Sequence, residues 1–208
     1  ANGDSLVLEY RFDKPLLTER NGYDLVKMQD TELYERTGAP IVPARPVTLL
    51  VPYGKEVADI RAVPGATYTL PGSYTLPPAQ RPYPLSHTGT VEATSPDPAI
   101  YGQNDLWPGM QSEEVGVQSK RGYRLLTVNL FPLQYAPADG TVSYTGSIRL
   151  EIELRDARTQ SLLRPTDAVK GELMRRIDNP GVLSTYPEEV MTGSDGPSPL
   201  PAGGPYEY

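Results

Sequence analysis

The sequence contains no cysteine and a single histidine among its 208 residues. The absence of cysteine excludes disulfide bonds, thiolate metal sites and a cysteine nucleophile. The histidine, His87, directly follows Ser86, and two adjacent side chains are poorly placed to form a nucleophile–base pair with a third orienting group. No apolar run approaches the ~20 residues that a membrane-spanning helix needs. The chain therefore shows neither a membrane span nor the residues of nucleophilic catalysis.

Other kinds of chemistry are equally poorly supported. There is no Gly-rich phosphate loop, no histidine-based metal spacing and no calcium-binding loop. The neighbouring carboxylates at Glu113-Glu114, Glu151/Glu153 and Glu188-Glu189 are interpreted as surface charges or cross-strand ion pairs. The formal net charge of -7 argues against binding to nucleic acid, since phosphate contacts require clustered Lys and Arg. We expect no catalytic constellation, no cofactor and no metal.

Glycine and proline are plentiful instead. The 19 glycines and 23 prolines make up about a fifth of the chain, below the ~25–30% that indicates disorder throughout. The clearest pattern lies in residues 147–155, where Ile148, Leu150, Ile152 and Leu154 alternate with charged residues. This period of two predicts a strand with one buried face. Composition and pattern together favour strands joined by frequent turns.

Two further stretches have strand character. Residues Tyr123–Phe131 are rich in aliphatic, β-branched and aromatic side chains, and Pro132 with the cluster Ala136–Gly140 separates them from the alternating strand. We expect these two long strands to belong to an antiparallel sheet. Together with a first strand at Leu6–Phe12, they predict an all-β fold, an antiparallel β-sandwich of jelly-roll type.

The chain is predicted to continue past the sandwich as one short helix. Its apolar stripe is Val169, Leu173 and Ile177, Thr166 or Asp167 can cap it, Glu172 and Arg176 form an i,i+4 pair, and Asn179-Pro-Gly181 ends it. We therefore divide the chain into a sandwich domain (1–158), a helical extension packed on or beside it (159–190) and a Gly/Pro-rich linker (191–208). No Lys or Arg follows Arg176, so a cut after a basic residue is not available in that linker.

Trp107 leaves two interpretations open. In the run Leu106-Trp-Pro-Gly109 it suits a stacking platform for sugars, and it also suits a plug at the end of a sandwich core. With the 14 tyrosines, the first interpretation gives an alternative function, that of a carbohydrate- or protein-binding module of a secreted enzyme. A structural spacer domain is a third possibility.

The segment Ser119-Lys120-Arg121-Gly122 precedes the second long strand. Taken alone, it predicts a hairpin loop with two solvated cations. A wider resemblance suggests a function for this segment. Over roughly residues 5–190, the order of several short motifs resembles that in the N-terminal propeptides of gingipain-type cysteine peptidases. Those motifs are Gly38-Ala-Pro40, Val42-Pro43, Val51-Pro-Tyr-Gly54, Pro82-Tyr-Pro84, Ala99-Ile-Tyr101, Arg121-Gly-Tyr-Arg124, Pro132-Leu-Gln-Tyr-Ala-Pro137, Gly140 and Ile148-Arg-Leu-Glu-Ile152. The ending Gly204-Pro-Tyr-Glu-Tyr208 also resembles the approach to a caspase-like catalytic domain.

The resemblance implies a function. Such propeptides are β-sandwich domains that keep a secreted or surface-bound bacterial precursor inactive and assist its folding. In arginine-specific members, a basic residue before a glycine occupies the primary specificity pocket of the catalytic domain. The matching residue is Arg121, with Lys120 beside it. The resemblance thus implies an inhibitory loop at Ser119, Lys120, Arg121 and Gly122, with the cognate cysteine peptidase as its partner.

Overall fold

The computed structural model describes residues 4–84, 86, 89–90, 92–158 and 167–187. Its strands are β1 (Ser5–Arg11), β2 (Leu16–Arg20), β3 (Tyr23–Lys27), β4 (Glu32–Tyr34), β5 (Val42–Leu50), β6 (Lys55–Pro64), β7 (Thr67–Thr69), β8 (Ser112–Lys120), β9 (Tyr123–Leu130), β10 (Leu133–Ala136), β11 (Thr141–Thr145) and β12 (Ser147–Asp156). Its helices are α1 (Pro98–Tyr101), α2 (Asp167–Leu173) and a 3-10 helix at Pro180–Thr185. The predicted antiparallel β-sandwich with a short C-terminal helix is confirmed.

The strands form two principal antiparallel sheets. One has the order β1-β12-β6 and the other the order β4-β5-β9-β8, while β10-β11-β7 and the hairpin β2-β3 complete the structure. The sequence predicted that the two long strands, β9 and β12, belong to one antiparallel sheet, and this prediction is wrong. They do not share a sheet, because the 16 residues between them hold β10 and β11 and carry the chain to the other layer.

The core fills the space between the two sheets. On β12 the alternation works as predicted, since Ile148, Leu150 and Ile152 are at most 1% exposed and their charged neighbours face outward. The opposite layer contributes Val47 and Leu49 from β5, with Leu126, Val128 and Leu130 from β9. Burial of these apolar side chains is the main favourable term in folding. Both inner faces of the sandwich are thus those that the sequence marks as apolar.

Residues 167–187 form a strap, comprising α2, the following turn and the 3-10 helix, on the outer face of the second sheet. The predicted stripe of Val169, Leu173 and Ile177 is buried there, together with Leu50 and Tyr123 of the sheet. The predicted pair is also present, with Arg176 Nη1 3.1 Å from Glu172 Oε1. The helix is short, and Asn179-Pro180 leads into the 3-10 helix. The strap thereby lies directly behind the β8–β9 hairpin.

Candidate functional site

The candidate loop is a two-residue β-hairpin turn. Strands β8 and β9 pair up to Lys120 and Tyr123, which leaves Arg121 and Gly122 as the loop. Their φ angles are +46° and +85°. Positive φ at both central positions is the mark of a type I′ turn, whose twist matches that of paired strands. The four predicted loop residues therefore occupy the tip of a tight and well-defined hairpin.

Arg121 is an unusual residue for its place in this turn. The structure contains a second hairpin of the same kind, β2–β3, where Asn21 and Gly22 have φ angles of +54° and +76°. Asn-Gly is the favoured pair for a type I′ turn, because asparagine tolerates the left-handed region better than other side chains do. Arginine has no such advantage. Local backbone preference does not explain Arg121, and strain at an exposed tip is a reason to look for a function.

The two basic residues of the tip have different surroundings. Lys120 Nζ lies 2.8 Å from both carboxylate oxygens of Glu172 on α2. That hydrogen bond is the main reason that the pKa of the Glu172 carboxyl falls below its usual value. The side chain of Arg121 is exposed, and no hydrogen bond or ion pair to it is found among residues 4–158 and 167–187 that are described. Arg121 is the basic side chain that the tip presents to solvent.

The base of the hairpin is held on the strap side by aromatic packing. Tyr123 is only 2% exposed, and its ring centroid lies 4.8 Å from that of Tyr186. The Tyr186 hydroxyl donates to Val51 O at 2.7 Å and accepts from the backbone N–H of Arg124 at 3.2 Å. Since buried polar groups are costly unless they are paired, these bonds fix the ring in one position. The residue after the turn is thus locked to the body of the domain.

A polar groove lies beside the hairpin. It runs between β8 and β6, the edge strands of the two principal sheets, has a volume of about 560 Å³ and reaches Ser119. Arg155 Nε donates to Glu56 Oε1 at 2.7 Å, which holds the pKa of that carboxyl below its usual range. Arg124 Nη1 donates to the carbonyl of Lys55 at 3.2 Å. The Arg124 contact joins β9 to β6 and so links the two sheets behind the candidate loop, whereas Arg155 and Glu56 lie on paired strands of one sheet.

Trp107 has the surroundings of a structural residue. Its indole N–H donates to Pro40 O at 2.8 Å, and its ring packs against the sandwich core. The Arg36 guanidinium lies over the ring, 5.7 Å from its centroid, and Tyr34 stands beside it at 6.4 Å. These contacts favour the interpretation in which Trp107 closes the end of the core over the one in which it stacks on a sugar.

The other chemical candidates lie apart from one another. Glu113 accepts a hydrogen bond from the Tyr34 hydroxyl at 3.4 Å, and Glu151 pairs with Arg149 at 2.8 Å. His87 and the pair Glu188-Glu189 lie outside the described residues. Within the described part of the chain, no group of three or more His, Cys, Asp or Glu side chains is placed to hold a metal ion. None of its helices is long and apolar enough to cross a membrane.

Sequence reasoning missed two parts of this site. Strand β8 was not foreseen, because its residues 112–120 show no regular alternation and a bulge between Glu114 and Gly116 shifts the register of the ladder. The contact between Lys120 and Glu172 was also missed. Glu172 offered a local partner in Arg176, and nothing in the spacing of residues 52 positions apart indicates that they meet.

Comparisons with known proteins give matches among solved structures only. No protein-family model matches the sequence, and no curated protein does. A chain in the complex of Porphyromonas gingivalis RgpB pro- and mature domains matches with a TM-score of 0.66 and 14% identity, over 87% of this chain and 94% of that one. A structure described as giving insight into the zymogenic latency of gingipain K from Porphyromonas gingivalis matches with a TM-score of 0.62 and 18% identity, over 74% of this chain and 88% of that one.

Both likenesses extend over most of the chains compared. At this level of identity they establish the fold. The resemblance drawn from the sequence motifs is therefore confirmed at the level of structure: the chain has the fold of a gingipain prodomain.

Proposed function

We propose that this chain is the N-terminal propeptide of a secreted, gingipain-like cysteine endopeptidase, and that it keeps the catalytic domain inactive by placing the β8–β9 hairpin in the catalytic cleft. The fold shared with gingipain prodomains supports the role. The observation that carries the mechanism is Arg121, an exposed arginine held in a left-handed conformation at the tip of a tight hairpin. In this account the chain has no catalytic activity of its own, and its partner is the catalytic domain.

Arg121 is suited to a specificity pocket that contains a carboxylate. A guanidinium group presents donors in a planar fork and binds a carboxylate through two parallel hydrogen bonds. Such a pair becomes stronger when the surrounding cleft excludes water. Arg121 is exposed and free of competing bonds within the described part of the chain, so it loses little in leaving the prodomain surface. We propose that Arg121 enters the specificity pocket and that Ser119, Lys120 and Gly122 form the rest of the hairpin tip that holds it.

The same turn geometry explains how a basic residue can occupy the cleft without being cleaved. Hydrolysis requires the bond after Arg121 to reach a near-attack geometry beside the catalytic nucleophile. That bond joins the two central residues of the turn, and the flanking Lys120 and Tyr123 are paired across the hairpin. To present it as a substrate, the turn would have to unfold. A tip already fixed in its bound shape also loses little entropy on docking.

We extend the proposal to the rest of the precursor. A sandwich that folds alone can act as a template for the catalytic domain, which is the folding role implied by the resemblance. Residues 159–190 position the end of the prodomain, and 191–208 form the linker to the catalytic domain.

The direct test is inhibition in trans. The chain is produced separately and titrated against the catalytic domain of its own precursor, with a small chromogenic substrate as the reporter. The expected result is complete inhibition at a one-to-one ratio, reversed when the chain is digested by an unrelated protease. Full peptidase activity at a large excess of folded chain would contradict the proposal.

A further inference from the structure

We propose that Glu172 is a specificity-determining residue of the hairpin: by binding Lys120, it leaves Arg121 as the basic side chain that is offered to the specificity pocket. This inference rests on the proposed inhibitory function and adds to it a statement about selectivity. The segment 119–122 contains two adjacent basic residues. Without Glu172, either of them would be available to an acidic pocket.

The geometry supports capture of Lys120. Its ammonium group is 2.8 Å from both oxygens of the Glu172 carboxylate. Arg176 Nη1, in the turn that follows α2, contacts the same carboxylate at 3.1 Å. Lys120 also lines a groove together with Leu125 of β9 and Leu173 of α2. Lys120 is therefore directed toward the strap, while Arg121 remains at the tip.

Glu172 is held in position by anchors that do not depend on the ion pair. On the same strap, Val169, Leu173 and Ile177 are at most 7% exposed, and Asp178 accepts a hydrogen bond from the Thr48 N–H at 3.0 Å. The Lys120 and Glu172 side chains are 38% and 41% exposed. An ion pair with this exposure contributes little to folding. Removal of the Glu172 carboxylate should thus release Lys120 and leave the fold intact.

Release matters because lysine and arginine suit different pockets. An ammonium group is a compact point charge, whereas a guanidinium needs a planar, bidentate partner. Specificity is the difference between two affinities, and withholding one competing side chain is a way to enlarge that difference. A prodomain with captured Lys120 should inhibit an arginine-specific peptidase well and a lysine-specific one poorly. Glu172 acts through Lys120 in this scheme and does not itself contact the peptidase.

The test compares selectivity. Inhibition constants are measured against one arginine-specific and one lysine-specific peptidase of the gingipain type, for the wild-type chain, Glu172→Ala, Lys120→Met and the double variant. Glu172→Ala is expected to inhibit the lysine-specific peptidase ~10-fold better, while its effect on the arginine-specific peptidase stays within ~3-fold. In the Lys120→Met background, Glu172→Ala should have no effect on the ratio of the two constants.

Each outcome decides a different claim. An unchanged ratio in Glu172→Ala overturns the role of Glu172, as does a change of equal size in the Lys120→Met background, because a purely structural effect would persist there. A wild-type chain that inhibits neither peptidase overturns this inference, whereas the proposed inhibitory function is decided separately by the titration against the catalytic domain of its own precursor. Equal thermal unfolding temperatures of the four proteins establish that altered constants do not arise from misfolding.

Discussion

The side-chain amide of Asn179 pairs with the backbone of Leu50 in both directions. Asn179 Oδ1 accepts from the Leu50 N–H at 2.8 Å, and Asn179 Nδ2 donates to the Leu50 carbonyl at 2.9 Å. Asp178 pairs with the backbone of Thr48 in the same way. Its N–H donates to the Thr48 carbonyl at 2.9 Å, and its carboxylate accepts from the Thr48 N–H at 3.0 Å. Strand β4 covers only Val42–Ala44 of β5. The strap therefore takes the place of a neighbouring strand along the rest of β5.

Replacement of Asn179 by alanine should destabilise the domain. The substitution leaves both backbone groups of Leu50 without these partners at a residue that is fully buried, and an unsatisfied buried group costs ~1–3 kcal/mol. We expect the free energy of unfolding to fall by ~2 kcal/mol or more, measured by urea denaturation. Ser184→Ala is the matched control, since the Ser184 hydroxyl bonds only locally to Gly181 O at the surface. Equal midpoints for the two variants would contradict this role for Asn179.

Alkaline pH should weaken the attachment of the strap through Tyr186. Burial is the largest cause of the raised pKa of its hydroxyl, whose ordinary value is 10.0. The folded state therefore holds the proton more tightly than the unfolded state does. The resulting stabilisation is complete below pH 10.0 and is lost as the pH rises through the folded-state pKa.

The measurement is the difference in unfolding free energy between the wild type and Tyr186→Phe. At neutral pH the wild type should be more stable by ~1–2 kcal/mol, because the variant loses the bonds to Val51 and Arg124. Above pH 10 the advantage should shrink. A difference that stays constant through the alkaline range would show that ionisation of Tyr186 is not coupled to folding.

The hairpin's resistance to cleavage should depend on Gly122. Its φ of +85° disfavours any residue with a Cβ, so Gly122→Ala should loosen the turn and expose the bond after Arg121. We expect mass spectrometry of a mixture with the peptidase to show rapid cleavage after Arg121 in this variant and none in the wild type. Gly22→Ala imposes similar strain on the matched β2–β3 turn, where φ is +76°. Resistance that is lost equally in both variants would point to general destabilisation.

Residues 191–208 should be the first site of cleavage in the precursor. Leu200 is their only Leu, Ile or Val within a Gly/Pro-rich run, and such segments are preferred sites of nicking. Limited proteolysis with a protease of broad specificity, followed by N-terminal sequencing of the fragments, checks this. First cuts within 4–84 or 92–158 would place the accessible segment elsewhere.

The sandwich could be predicted because its strands are amphipathic. In residues 56–63 the alternation predicts that Ala58, Ile60 and Ala62 face inward, and this prediction is only partly correct. On β6, Ile60 and Ala62 face the core opposite Ile152 and Leu150, as their alternation predicts. A bulge opposite Glu153/Leu154 then leaves Ala58 exposed and turns Val57 inward against Leu154. A bulge adds one residue to a strand and reverses the faces beyond it. The composition of β6 carries no mark of that position.

The hairpin turn could be predicted from the sequence, but the different surroundings of its two basic residues could not. The pair Arg121-Gly122 could be placed in a turn, yet the I′ geometry and the strain on Arg121 depend on the register of β8 with β9. The ion-pair partner of Lys120 depends on where α2 packs. That position is set by buried contacts of Leu173 and Tyr123, which are 50 residues apart in the sequence. Long-range packing of this kind leaves no local pattern.

The central claim, that Arg121 fills the specificity pocket, is tested most directly by Arg121→Asn. This substitution reproduces the Asn21-Gly22 turn of the β2–β3 hairpin, so it removes the guanidinium while keeping or improving the fold. The catalytic domain of the precursor, produced separately, is titrated with the wild-type chain, Arg121→Asn and Asn21→Arg. The last variant places a guanidinium on the equivalent turn away from the site. The account predicts an inhibition constant at least ~30-fold weaker for Arg121→Asn, equivalent to ~2 kcal/mol, at an unchanged or higher unfolding temperature, and a wild-type constant for Asn21→Arg. Equal inhibition constants for all three would contradict it.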